Sequence, residues 1–211
     1  MVMNSSGSIR ILTVDDHPLL REGIAAAIGR QTDMVLVAEA NNGREAIEQF
    51  RVHQPDITLM DLQMPLMSGI DAILAIRKEF PQARIIVLTT YSGDAQAVRA
   101  FSAGASGYLL KGMIRKELIE TIRSVHAGRK RIPPELAIEM AEHHADDTLT
   151  EREIEVLRHV AAGNANKMIA TRLAICEDTV KAHMKSILAK LGANDRTHAV
   201  TIGLKRGIIE L

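Results

Sequence analysis

Two rhythms of apolar and polar positions divide the chain. Between residue 9 and about residue 127, brief apolar runs at 9–14, 34–38, 57–60, 85–88 and 107–110 are rich in Val, Ile and Leu. Runs of that length and composition predict strands covered on both faces. Between them the apolar residues recur at helical spacing: Leu20, Ile24, Ala27 and Ile28; Ala46, Ile47 and Phe50; Ile70, Ile73 and Leu74; Ala97, Val98 and Phe101; Leu118, Ile122 and Val125. Five strands alternating with five helices predict an α/β fold, a doubly wound five-stranded parallel sheet with helices on both faces. Right-handed crossovers narrow the topology further.

From residue 149 to 211 the strand rhythm is gone, and helices are predicted at 151–162, 166–173, 177–191 and 196–205. Thr150, followed three residues on by Glu153, is a capping box. Gly163 and Gly192 stand where helix ends favour a left-handed residue. This half reads as a small all-α domain. Between the halves lie Arg129-Lys130-Arg131, the pair Pro133-Pro134 and a stretch of mixed charge, which suit a linker. Within it, 135–142 has room for one or two helical turns. The division is therefore a domain at 9–127, a linker at 128–148 and a helical domain at 149–211, with residues 1–8 a loose tail.

Composition removes several alternatives. Aromatics are 2% and Trp is absent, which argues against a sheet that reads RNA by stacking. The single Cys excludes an internal disulfide and a Cys-based zinc site, and it fits a reducing, cytoplasmic setting. No apolar run approaches the roughly 20 residues that span a bilayer, so no membrane role is expected. The formal net charge is zero, but its distribution is uneven. Residues 1–127 hold 13 basic and 14 acidic side chains, the linker 3 and 5, and residues 149–211 hold 10 and 7. A positive excess confined to the helical half hints that this half meets a polyanion.

The candidate chemistry sits at predicted strand ends, where open parallel sheets bind ligands. Asp15 and Asp16 end the first strand, Asp61 the third, Thr89 the fourth and Lys111 the fifth. Clustered carboxylates call for a cation, and oxygen donors suit Mg2+. Asp61 can then act as a nucleophile toward phosphorus, giving an aspartyl-phosphate. Lys111 would supply positive charge and Thr89 a hydroxyl to the phosphoryl oxygens. A phosphohydrolase using such an aspartate commonly carries a second Asp two residues on; here that position is Gln63, which argues against an enzyme. In the helical half, 166–173, a short turn and 177–191 have helix-turn-helix spacing. Lys181 and Lys185 lie four apart on one face of the second of these helices, as major-groove binding requires. His143-His144 with Asp146-Asp147 reads as solvated linker, since adjacent ligands on a flexible segment make a poor metal site.

These residues carry a resemblance. Val-Asp-Asp-His-Pro-Leu-Leu-Arg at 14–21, Met-Asp-Leu-Gln-Met-Pro-Leu-Met-Ser-Gly at 60–69, Leu-Thr-Thr-Tyr at 88–91 and Gly-Ala-Ser-Gly-Tyr-Leu-Leu-Lys at 104–111 resemble the receiver domain of bacterial two-component response regulators. The resemblance implies a flavodoxin-like sheet of order 2-1-3-4-5. Asp61 is then the phosphoacceptor. Asp15, Asp16, Asp61 and the backbone carbonyl of Gln63 hold Mg2+, while Thr89, Tyr108 and Lys111 are the switch hydroxyl, the switch aromatic and the phosphate-binding lysine. Tyr108 is expected to move inward into space left by Thr89. Gly112 stands where receivers often carry Asp or Pro.

Leu-Thr-Glu-Arg-Glu-Ile-Glu-Val-Leu at 149–157, Asn-Lys-Met-Ile-Ala at 166–170, Thr-Val-Lys-Ala-His at 179–183 and Lys-Leu-Gly-Ala-Asn-Asp-Arg at 190–196 resemble the LuxR-type helix-turn-helix. Together the halves resemble response regulators of the NarL/FixJ type. That implies Lys181, Ala182 and Lys185 at base edges, with Thr179, Asn166 and Lys167 at the DNA backbone. It also implies a histidine kinase as phosphodonor, promoter half-sites as target and a homodimer paired through the last helix. Met168 replaces the usual Glu, and Cys176 the usual Ser. Cys is a poor cap, which would weaken the start of the recognition helix by about 1 kcal/mol; otherwise Cys176 is expected to be a small packed residue.

Overall fold

The computed structural model describes residues 7–90, 94–133, 137 and 149–209. They form two compact units, one built on a sheet and one on helices. The sheet strands are β1 Ile9–Val14, β2 Met34–Ala40, β3 Ile57–Asp61, β4 Ile85–Thr89 and β5 Gly107–Leu110. All pair in parallel, in the order 2-1-3-4-5, which is the doubly wound arrangement expected from the pattern. The helices are α1 Pro18–Gly29, α2 Gly43–His53, α3 Gly69–Glu79, α4 Asp94–Ala103 and α5 Ile114–His126, the last entered through a 3-10 turn at Lys111–Met113.

β3 and β4 are buried along their whole length, which is why they read as unbroken apolar runs. Both extend one residue past those runs, so that β3 ends on Asp61 and β4 on Thr89. A polar residue keeps its ladder hydrogen bonds while its side chain serves a site, and hydropathy alone cannot register that. β2 is longer by two residues than its apolar run, and β1 shifts register against it between Ile11 and Leu12. Ile11, Ile24, Ile57, Leu59, Ile86 and Ile122 form the centre of the core beneath the sheet. Each such side chain contributes roughly 1.5–3 kcal/mol through burial, so the strand ends above them are held on a stiff base.

The β5 edge is covered by the chain that follows α5. Tyr108 N–H donates to the Arg131 carbonyl at 3.0 Å, and Arg131 N–H donates to the Ser106 carbonyl at 3.1 Å. Residue 131, expected within a loose linker, is thus strapped to the sheet, which satisfies edge groups that would otherwise stay open. Ala137 is helical. The rest of the expected helical turns at 135–142, the His143-His144 and Asp146-Asp147 pairs, and residues 1–6 of the tail lie outside the described residues.

The second unit comprises α6 Glu151–Ala161, α7 Asn166–Leu173, α8 Glu177–Leu191 and α9 Arg196–Lys205. These bounds follow the apolar pattern closely, α6 stopping one residue short of it. Val156, Leu157, Ile169, Val180, Ile187 and Ala199 are fully buried between the helices, with Val200, Ile202 and Leu204 of α9 partly buried against them. Thr150 and Glu153 form the expected capping box. Arg152 Nη2 donates to the Leu173 carbonyl at 2.6 Å, satisfying the C-terminal end of α7.

Glu153 does more than cap. Its carboxylate accepts from Thr150 N–H at 2.7 Å, from Ser186 Oγ at 2.6 Å and from Lys190 Nζ at 2.8 Å. Burial alone would raise its pKa, but the bonds from Lys190, Ser186 and Thr150 win and hold it at about 2. The folded-state pKa is depressed, so the stabilisation is complete above the ordinary value near 4.5 and is lost as pH falls toward 2. The shift corresponds to at most about 3 kcal/mol. Replacing Glu153 by Gln should therefore cost the helical domain about 2–3 kcal/mol at neutral pH. The variant should also lose most of the native protein's steepening of instability between pH 4.5 and 2; urea titrations across that window check both.

Candidate functional site

The carboxyl ends of β1, β3 and β5 bring together the residues expected there. β1 delivers Asp15, and Pro18 in the first turn of α1 starts that helix at once, with His17 as its N-cap residue. The tight turn leaves Asp15 wholly buried and Asp16 and His17 at the rim. Arg21 Nη1 donates to the Asp15 carbonyl at 2.6 Å and fixes the turn from α1. β3 ends on Asp61, and the loop after it folds back so closely that a Cβ on Gly69 would lie 2.0 Å from the Asp61 carbonyl oxygen. Glycine at 69 is thus a packing requirement. Ser68 caps α3 by accepting from Asp71 N–H, and Gln63 N–H donates to Asp61 Oδ1 at 3.3 Å.

Lys111, just past β5, reaches across this edge. Its Nζ lies 2.8 Å from Asp61 Oδ2 and 2.8 Å from Asp15 Oδ2. Burial pushes Asp61 above the usual carboxylate range, against the pull of Lys111, and the neighbouring Asp15 adds to the rise. Burial alone would lower Lys111, but its two carboxylate partners outweigh that and hold it above its ordinary value. Three carboxylates face one ammonium, so the pocket retains a negative surplus. Asp16 Oδ1 is buried without a hydrogen-bond partner. Donor atoms of Asp15, Asp16, His17 and Asp61 all lie within 4.8 Å of one another. A surplus of carboxylate oxygen is what a divalent cation would satisfy.

Thr89 and Tyr108 are both buried. A hydrogen bond joins their hydroxyls, although burial, the larger effect, lifts the Tyr108 phenol to about 12. Tyr108 is thus already buried beside Thr89 in the chain without a phosphoryl group.

On the helical unit, α8 turns Val180, Met184, Ile187 and Leu191 into the core and leaves Lys181, Ala182 and Lys185 exposed along one face. Lys181 Nζ pairs with Asp178 Oδ1 at 3.0 Å and lies 3.9 Å from Glu177 Oε1. Such exposed pairs are worth under about 1 kcal/mol and exchange readily for other anions. Lys167 is exposed on α7, whereas Asn166 is half-buried, its Oδ1 buried without a hydrogen-bond partner. Thr179 is half-buried, and its hydroxyl lies 2.9 Å from Cys176 Sγ.

Cys176 is exposed, not packed, because an N-cap residue projects from the helix end. Its side chain makes no regular cap hydrogen bond, although the hydroxyl and backbone of Thr179 draw the thiol below its ordinary pKa. Met168 is half exposed on α7. Sequence reasoning missed three participants. His17 was hidden beside a more obvious Asp pair, although Pro18 marked it as the turn residue. Ser186 and Lys190 were hidden because a capping box reads as a local motif.

The family model "Response regulator receiver domain" matches residues 11–123, and "Bacterial regulatory proteins, luxR family" matches residues 147–202. The chain is 36% identical to the transcriptional regulatory protein LnrK of Bacillus subtilis, over 95% of this chain and 98% of that protein. It is 36% identical to the response regulator protein VraR of Staphylococcus aureus, over 96% of this chain and 100% of that one. Among solved structures it is similar to RcsB of Salmonella enterica serovar Typhimurium bound to a promoter in the presence of a phosphomimetic. The TM-score is 0.71, at 25% identity over 95% of this chain and 100% of that one.

The geometry at Gly69 yields a direct test. Gly69→Ala should destabilise the sheet domain by about 3 kcal/mol, because the obstacle is backbone and cannot rotate away; chemical denaturation measures it. Gly23→Ala on α1, where a Cβ meets nothing within 4 Å, should instead be neutral or slightly stabilising.

Proposed function

The chain belongs to the bacterial response regulators that join a receiver domain to a LuxR-type DNA-binding domain, and from that premise we propose that Asp61 is the phosphoacceptor that controls its grip on promoter DNA. It is a DNA-binding transcription regulator; the residues, partners and control step below are our reading. The observation that carries it is the buried Asp61–Lys111–Asp15 cluster at the carboxyl end of the sheet.

A sensor histidine kinase is the donor. Asp61 Oδ attacks the phosphorus of a phosphohistidine; the O–P bond forms, the N–P bond breaks, and the imidazole keeps the electron pair. Asp15, Asp16, Asp61 and the Gln63 carbonyl would hold Mg2+, which when bound would supply positive charge to screen the carboxylates from the incoming phosphoryl group. Lys111, already in contact with Asp61, moves its ion pair to the phosphoryl oxygens, and the Thr89 hydroxyl donates to another. The new group brings about two negative charges.

When Thr89 turns to the phosphoryl group it leaves Tyr108. An unpaired buried hydroxyl costs about 1–3 kcal/mol, so Tyr108 cannot stay as it was. Its own amide donates to the Arg131 carbonyl, and the strain therefore reaches the first residues of the 128–148 linker. In this reading residues 9–127 sense and residues 149–211 respond. On DNA, Lys181, Ala182 and Lys185 meet base edges while Thr179, Asn166 and Lys167 meet the backbone. Two copies, paired through α9, occupy two half-sites and multiply their affinities. No described helix is long and apolar enough to cross a membrane, and the chain acts in the cytoplasm.

Three measurements test this. Asp61→Asn should take up no phosphoryl group from a small-molecule donor, while the native chain takes up one; equal labelling of both would place the acceptor elsewhere. Lys185→Ala should reduce discrimination against a mismatched half-site by about 1–3 kcal/mol. An unchanged preference with a shallower salt dependence would make Lys185 a phosphate contact. Promoter affinity that is the same with and without a phosphoryl mimic would mean that binding is constitutive.

A further inference from the structure

An acid stands on the face of α8 that carries the exposed lysines. At about 100° per residue, Asp178, Lys181, Ala182, Lys185 and Ala189 fall on one side of the helix, with Asp178 between Lys181 and Ala182 around the axis. All five are exposed, and the Asp178 side chain is 88% exposed. Its Oδ1 accepts from Lys181 Nζ at 3.0 Å, whereas Oδ2 has no hydrogen-bond partner among the described residues. Glu177, the other acid of the first turn, stands to the side of this face, 3.9 Å from the same Nζ. Helix polarity welcomes an acid anywhere in the first turn, so it does not account for one centred on the lysine face. A carboxylate brought to a duplex is repelled by the phosphates, and that loss is offset only where it meets a hydrogen-bond donor. In the major groove the donors are the exocyclic amines, N4 of cytosine and N6 of adenine. Cytosine N4 lies beside the guanine O6 of its own pair, at a hydrogen-bond length of about 2.9 Å. The Lys181 donor and the Asp178 acceptor, 3.0 Å apart, present the complementary order at the same spacing.

We propose that Asp178 is a specificity-determining residue: with Lys181 it reads one G·C pair of each half-site, the carboxylate accepting from cytosine N4 while the ammonium donates to guanine O6 and N7. The inference rests on the reading that Lys181 faces base edges, and it adds the acid to that contact. The ion pair holds the long lysine side chain in place before DNA arrives, so less freedom is lost on binding. At a T·A pair the ammonium meets one acceptor instead of two, beside the thymine methyl, and the carboxylate meets adenine N7 as well as N6.

The test uses the full chain. Selection from a random duplex library should give native half-sites with a G·C pair at a position that Lys181→Ala relaxes. At that position Asp178→Ala should reduce discrimination against A·T about ten-fold. N4-methylcytosine keeps its pairing with guanine and loses the N–H exposed in the groove. Placed at that position it should weaken native binding about ten-fold and Asp178→Ala binding less than about two-fold. Equal native affinity for cytosine and N4-methylcytosine, or full discrimination retained by Asp178→Ala, would overturn the role of Asp178 and leave Lys181 at the bases. Selection in which Lys181→Ala relaxes no position would overturn the base contact of that lysine, on which the proposal stands. The native comparison of the two cytosines decides the matter even if a variant folds poorly.

Discussion

The Lys111 ammonium sits 2.8 Å from both Asp15 and Asp61, and the organisation of the sheet domain follows from the need to keep those three charges together out of water. Taking a carboxylate from solvent costs several kcal/mol, and one ammonium cannot offset two or three of them. The residual imbalance is what the proposed chemistry would use: a cation would neutralise the surplus oxygens, and an incoming phosphoryl group would find a positive partner already in place. The apolar strands below matter because they fix three strand ends at hydrogen-bond distance, and the close approach of Gly69 to Asp61 matters because it leaves the Asp61 backbone little room to drift.

The helical domain is organised around a second buried charge. Glu153 holds Thr150 at the point where the linker enters and holds Ser186 and Lys190 on the recognition helix. The linker's end and the DNA-facing helix are thus bonded to one carboxylate. Such a network resists rotation of α8 about its axis, which would turn the exposed face bearing Lys181, Ala182 and Lys185. At the other end of the linker, the Tyr108 amide is bonded to Arg131. Each end of the connecting segment is therefore tied by backbone hydrogen bonds to a working part of its own domain.

Most elements were legible from periodicity. The parallel sheet, the helix-turn-helix and nearly all helix bounds follow from apolar spacing, Pro18, the Thr150–Glu153 box and Gly192, whereas the strand order came with the receiver resemblance. The convergence of Asp15, Asp61 and Lys111 on one sheet edge was legible too, because open parallel sheets place ligands at strand ends. Less legible were side chains whose partners lie far along the chain. Lys190 looks like any solvated lysine until Glu153, 37 residues away, is seen beneath it. Cys176 looks like core filler by residue type, yet its helix-end position exposes it.

The sequence by itself determined which residues could carry charge chemistry and which stretches must be covered by apolar neighbours. Those are local properties of side-chain type and spacing. Only the tertiary structure decided which polar atoms share a hydrogen bond: Tyr108 with Thr89, Lys111 with Asp61, Arg131 along β5. Hydrogen bonds and buried ion pairs depend on tenths of an ångström and on burial, and these arise only when segments distant in the chain are packed against one another.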